Sequence, residues 1–317
     1  MNTEFEKICK MSQQQLKEYV VEKLKNTHKR IVSEDGFVYA EGTFPVLLVA
    51  HLDTVHKILP TTILYDLQKN TASSPNGIGG DDRCGVYMIL EIVKKHNCSV
   101  VFCEDEEIGC VGARKFIQTE TAKNVECNYI IEFDRKGKKD AVFYNCDNDE
   151  FEDFITAEYY ETSYGSFSDI SIIAPFIGCA AVNLSCGYYN PHTEKEYVAL
   201  KEMEKSIKMA CMILDRTTEE DVFEYIEAKN SYVGRYNGYN NSGYSGSEYD
   251  YEDWYGESDY STYGYYIIEY VDAYGQQQWF DTFADTKEEA IGRLLMEKQY
   301  MCYADIVDIC VDYLSCT

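Results

Sequence analysis

Positive charge is scarce in this 317-residue chain: 29 Lys and Arg stand against 55 Asp and Glu, a formal net charge of −26. A deficit of that size excludes nucleic acid and anionic membrane surfaces as partners, because both attract counter-charge. Long apolar runs are missing too. None approaches the roughly 20 residues that cross a bilayer. The N-terminal MNTEFEKICKMSQQQLKEYVVEKL is charged and amphipathic and lacks the apolar core of a signal peptide. Cysteine is frequent, at 13 residues, but the number is odd and no CxxC spacing occurs, which argues against a structural zinc knuckle. Cys103, Cys179, Cys211 and Cys310 lie inside apolar runs and read as reduced, buried thiols of a cytoplasmic protein.

What is present is a set of apolar strands that end in carboxylates and histidines. In VFCEDEEIGCVG, residues 101–112, an apolar run leads into Glu104, Asp105, Glu106 and Glu107. Such a cluster of like charges is relieved by protons or by cations. Phe44 to Asp53, FPVLLVAHLD, reads as a strand buried on both faces and ends in His51 and Asp53. Alternation puts those two on one side, where the carboxylate can orient the imidazole. His56 follows in loop context and carries little weight. NYIIEFD ends in Asp134, and AAVNLS leads into Asn190-Pro191-His192. Asp81 and Asp82 follow three glycines at the start of a helix running to about Lys95. One of them suffices as a helix cap, which leaves the other free to bridge two metal ions.

The remaining elements follow from periodicity. Residues 3–27 read as one helix, and 30–42 as a hairpin turning at Asp35-Gly36. Residues 61–72 read as a strand, Gly112–Gln118 as a helix, and Ile170–Leu184 as strand-like runs broken by Pro175 and Gly178. A long helix is expected from Glu196 to Lys229; residues 141–156 show no clear period. Alternation of strands and helices makes residues 1–230 an α/β domain, whose ligands bind beyond the carboxyl ends of strands. Residues 231–264, rich in Tyr, Gly, Ser and acids, read as a flexible linker. Residues 265–317 read as a small ββαβ module, an α+β unit with a packing or protein-binding role. Its helix runs from Thr286 to Met301, with Thr286 and Glu289 as a capping box.

The segments HLDTV, GIGGDDRCG, EDEEIGCVGA, IEFDR and NPHTEKEYV resemble the ordered motifs of the co-catalytic zinc exopeptidases, the group of peptidase T, related carboxypeptidases and dipeptidases, and the zinc aminopeptidases. The likeness spans residues 45 to about 200. It implies a three-layer α/β/α fold around a mixed, mostly parallel sheet. It also implies two zinc ions, with cobalt or manganese as substitutes. On that pattern His51, Asp81 and Asp134 hold one metal, and Asp81, Glu107 and His192 the other. Asp53 orients His51 or tunes that metal, while Asp82 sits where the family has Asp or Asn and is not the expected ligand. Glu106 is the general base that activates the water held by the metals. The activity implied is hydrolysis of short peptides, with an aminopeptidase favoured over a carboxypeptidase or deacylase using the same site. A metal-binding scaffold that recruits a partner through residues 231–317 is the non-enzymatic alternative. Only 57 residues lie between Asp134 and His192, too few for the lid domain that peptidase T inserts there. Substrate groups must therefore be held elsewhere, and Arg83, Arg135 and Asp169 are the candidates.

Overall fold

The structure, a computed structural model, describes residues 3–165, 167–228, 264–271, 277–284, 291, 293–294 and 306–312. The chain divides into two compact units, Met1–Glu227 and Ala228–Thr317.

The first unit opens with two helices, α1 (Thr3–Cys9) and α2 (Gln13–Leu24), where the periodicity suggested one. The break is a capping box. The Ser12 side chain accepts from the Gln15 N–H at 3.3 Å, and the Gln15 side chain accepts from the Ser12 N–H at 3.0 Å. Phe5, Ile8, Leu16, Val20 and Leu24 are all buried, so the apolar stripe still faces one core across the break. The expected hairpin follows as β1 (Arg30–Glu34) and β2 (Phe37–Glu41), with Gly36 at φ +95° in the turn.

Then come β3 (Phe44–His51), β4 (Leu64–Asp66), β5 (Thr71–Ser73), α3 (Gly80–Ile92) and β6 (Cys98–Cys103). After them lie α4 (Val111–Ile117), α5 (Glu120–Lys123), β7 (Tyr129–Arg135), β8 (Asp140–Val142), α6 (Asp149–Thr156) and β9 (Glu161–Ser163). The unit closes with α7 (Ile170–Ile177), β10 (Ala181–Ser185), β11 (Tyr188–Tyr189), β12 (Tyr197–Ala199) and α8 (Leu200–Arg216).

The main sheet has the order β1-β2-β6-β3-β7-β10-β8-β9. Its centre, β6-β3-β7-β10, is parallel throughout. These are the strands that read as unbroken apolar runs, and they are buried from end to end apart from the first residues of β3 and the last of β7. One core lies between the sheet and a layer containing α1, α2, α3 and α8; the other lies beneath α4 and α7. This is the three-layer α/β/α arrangement, with a mixed, mostly parallel sheet. Register aligns the strand exits: His51 is opposite Cys103, and Glu132 is opposite both Val49 and Asn183.

Three readings from periodicity give way. Residues 61–72 form two short strands, β4 and β5, in a second sheet of order β11-β12-β5-β4. Ile170–Ile177 is a helix, not a strand; its four isoleucines mimic a strand, but Ile170, Ile173 and Ala174 fall on one buried helical face, and Gly178 ends it at φ +83°. The last helix begins at Leu200, because Tyr197–Ala199 pairs with β5, and it ends at Arg216. Residues 135–191 stay within the first unit, with no inserted domain. The second sheet joins the segment before Asp81 to the segment around His192.

In the second unit β13 (Gly264–Val271), β14 (Gln277–Ala284) and β15 (Ile306–Asp312) form an antiparallel sheet of order β14-β13-β15. Residues 291, 293 and 294 are helical, and Ile268, Ile291 and Leu294 are buried. The tyrosine-rich stretch up to residue 263 and the Thr286–Glu289 cap lie outside the described residues. Among the described residues no helix is long and apolar enough to cross a membrane.

Candidate active site

Five side chains named from the sequence converge at the carboxyl ends of β3, β6 and β7. His51, Asp81 and Asp134 place donor atoms within 4.8 Å of one another, as do Asp81, Glu107 and His192. Asp81 belongs to both groups. One of its oxygens lies 3.1 Å from His51 Nε2 and the other 3.2 Å from His192 Nε2. Asp134 Oδ1 lies 3.5 Å from His51 Nε2, and Glu107 Oε2 lies 3.1 Å from His192 Nε2.

Local structure explains each placement. The carboxylate of Asp53 lies 3.0 Å from His51 Nδ1 and accepts the backbone N–H groups of Glu106 and Glu107, each at 3.0 Å. It thereby ties the end of β3 to the turn after β6 and leaves His51 Nε2 as the free donor. Asp81 and Asp82 have non-helical backbone angles, which send their side chains apart. Asp82 is wholly buried and accepts from Gly85 N–H at 2.9 Å and His51 N–H at 3.2 Å. Asp82 thus makes the cap-like bond, and Asp81 is the one whose two oxygens face His51 and His192. Asp134 accepts from the Ser168 hydroxyl at 3.1 Å and the Tyr188 hydroxyl at 3.2 Å. Asn183 grips the Asp134 backbone through its N–H at 2.9 Å and its carbonyl at 3.0 Å.

Residues 37–170 match the model of peptidase family M28. That match spans less than half of the chain and makes it similar to the co-catalytic zinc peptidases. Solved structures agree on the fold. Aminopeptidase PepT from Bacillus cereus is 13% identical, with a TM-score of 0.56, and the match covers 67% of this chain and 96% of that one. A tripeptidase from Staphylococcus aureus is 12% identical, with a TM-score of 0.54, covering 66% and 95%. An aminopeptidase from the archaeon Desulfurococcus kamchatkensis is 15% identical, with a TM-score of 0.53, covering 68% and 95%. No curated protein is a significant match in sequence.

The donor set suits zinc. It offers two imidazoles and three carboxylates, the borderline and hard ligands that Zn²⁺ takes. Glu107 Oε1 is buried without a hydrogen-bond partner, as expected of a ligand atom. Electrostatics agree. Burial disfavours a charged His192, yet Asp81 and Glu107 outweigh it and raise its pKa to about 12. Burial and the Asp81 charge lift Asp134 to about 6 and Glu107 to about 7. Burial also raises Glu106 well above the usual carboxylate range, with Asp134 and Glu107 adding to it. The Cys110 thiol donates to Glu106 Oε1 at 3.4 Å.

The three substrate candidates fare differently. Arg83 is buried, and its guanidinium donates to the Leu52 carbonyl and, at 3.1 Å, to that of Met11. It is a structural residue, not a grip for substrate. Arg135 donates to Asp140 at 3.1 Å from the end of β7. Asp169 is fully buried beneath the cluster with both oxygens unpartnered, and burial raises its pKa to about 7. It is closed to solvent as it stands. Ten cysteines of the first unit are free, with Cys103 buried, but Cys179 and Cys211 are partly exposed rather than buried; the Cys310 side chain lies outside the described residues. Sequence reasoning passed over Glu196, which is wholly buried beside the Asp81 loop.

Proposed function

We propose that this metallopeptidase is an exopeptidase acting on short peptides as an aminopeptidase. The observation that carries the reading is the pair of donor triads sharing Asp81. The aminopeptidase and tripeptidase activities named for the structural neighbours support the direction of attack. His51, Asp81 and Asp134 would hold one zinc ion, and Asp81, Glu107 and His192 the other. Bound there, the two cations would polarise the scissile carbonyl and lower the pKa of the water that attacks it.

The chain's own residues supply the rest. Glu106 stands on the turn held by Asp53. Its carboxylate accepts the proton of the attacking water and delivers it to the leaving amine nitrogen. A carboxyl raised by burial suits both halves of that transfer. Asp53 fixes the tautomer and tilt of His51, and Ser168 and Tyr188 fix the angle of Asp134.

The test is a panel of aminoacyl-amides, free dipeptides and N-acetylated dipeptides with the zinc-loaded protein. Turnover confined to substrates with a free amine, and lower in Glu106→Gln by about 10²–10⁴-fold, is expected. Cleavage of the N-blocked substrates would reassign the protein to carboxypeptidases or deacylases.

A further inference from the structure

The Asp81 side chain can serve two metals only if its backbone is held still, and no regular element holds it. Gly79 is left-handed at φ +68°, and Asp81 and Asp82 have non-helical angles. Their N–H groups therefore need acceptors from elsewhere. A single carboxylate provides them. Glu196 Oε1 accepts from the Asp81 N–H at 3.0 Å, and Oε2 accepts from the Gly79 N–H at 2.7 Å. Oε2 also lies 2.8 Å from His56 Nε2. Glu196 is wholly buried. A buried carboxylate is costly unless its oxygens are satisfied, and here every partner is on the loop approaching Asp81 or on the His56 ring beside it.

The sequence position of Glu196 adds to this. It lies four residues after His192, in the link from β11 to β12. One short segment thus grips Asp81 twice, by imidazole on the side chain at 3.2 Å and by carboxylate on the backbone at 3.0 Å. The fit is close: a Cβ on Gly80 would lie 2.8 Å from Tyr188, 2.9 Å from Val198 and 3.3 Å from Glu196 Oε1. A side chain at residue 80 would push the Asp81 loop off its support.

We infer that Glu196, backed by His56, is a positioning residue that fixes Asp81 between the two metal sites. This rests on the reading of Asp81 as the shared ligand. Loss of Glu196 leaves two buried N–H groups without an acceptor and lets Asp81 turn away from one histidine. Both sites then weaken together, because they have that carboxylate in common. A residue that only stabilised the fold would lower the melting temperature without touching the link between the two ions.

The experiment uses the full chain loaded with Co²⁺ and read by electron paramagnetic resonance, with chelator competition for affinity. In the parent, two ions bind and couple magnetically through Asp81. In Glu196→Ala the coupling is lost, and affinity falls about 10–100-fold, the usual effect of removing a group that orients a ligand. Glu196→Gln, which keeps the shape but presents one acceptor oxygen, gives an intermediate loss and serves if the alanine variant does not fold. His56→Ala gives a smaller loss. Coupled ions in the parent with unchanged coupling and affinity in the Glu196 variants would overturn the positioning role alone. Failure of the parent to bind a coupled pair would overturn the shared-ligand reading, and this inference with it.

Discussion

Asp53 Oδ1 lies 3.0 Å from His51 Nδ1, and the same carboxylate accepts the N–H groups of Glu106 and Glu107. One partly buried acid therefore sets three positions, those proposed for a metal donor, the general base and a second donor. Removing it should cost more than a tautomer. For Asp53→Ala the zinc affinity is expected to fall by about 10–100-fold. Chelator competition measures this directly. Unchanged affinity with full activity would show that the packing around β3 alone orients His51.

The cluster also makes a statement about pH. In the metal-free protein burial and neighbouring carboxylates raise Glu107 to about 7, Asp134 to about 6 and Asp169 to about 7. Each therefore binds its proton more tightly folded than unfolded. The stability they contribute is present below the unfolded carboxylate pKa and is lost as pH rises through these values. Metal-free protein should thus melt at a lower temperature at pH 8 than at pH 5. Zinc should abolish or reverse the difference, because it replaces the protons on Glu107 and Asp134. Thermal scans with and without a chelator decide this. Equal melting temperatures across that range in the metal-free state would contradict it.

Arg83 offers a test of structure against substrate binding. Its guanidinium satisfies the carbonyls of Leu52 and Met11, joining the exit of β3 to the link between α1 and α2. Arg83→Met should lower the unfolding free energy by about 1–3 kcal/mol, the cost of stranding buried acceptors. It should leave KM for a free dipeptide unchanged. A raised KM without loss of stability would return Arg83 to the substrate site.

Much of this was legible because burial writes itself into strands. The runs of β3, β6, β7 and β10 are apolar over most of their length and buried on both faces, so their position at the sheet centre follows, and with it the placing of His51, Glu107 and Asp134 at one edge. What periodicity misread were short elements whose length or composition misleads. The isoleucines of α7 favour a strand by type, and tertiary packing overrides that preference. The capping box at Ser12 was readable from Ser12 and Gln15, but a continuous apolar stripe concealed it. Glu196 is harder. It lies between Lys195 and Tyr197 in a run of polar residues, where a glutamate reads as solvated. The available signal lay elsewhere, in the glycines before Asp81, whose bare N–H groups require an acceptor.

The most direct measurement is anomalous diffraction at the zinc edge from crystals of the zinc-loaded protein. Two peaks are predicted, one among His51, Asp81 and Asp134 and one among Asp81, Glu107 and His192, with Asp81 touching both. A single peak, or two that do not share Asp81, would contradict the account.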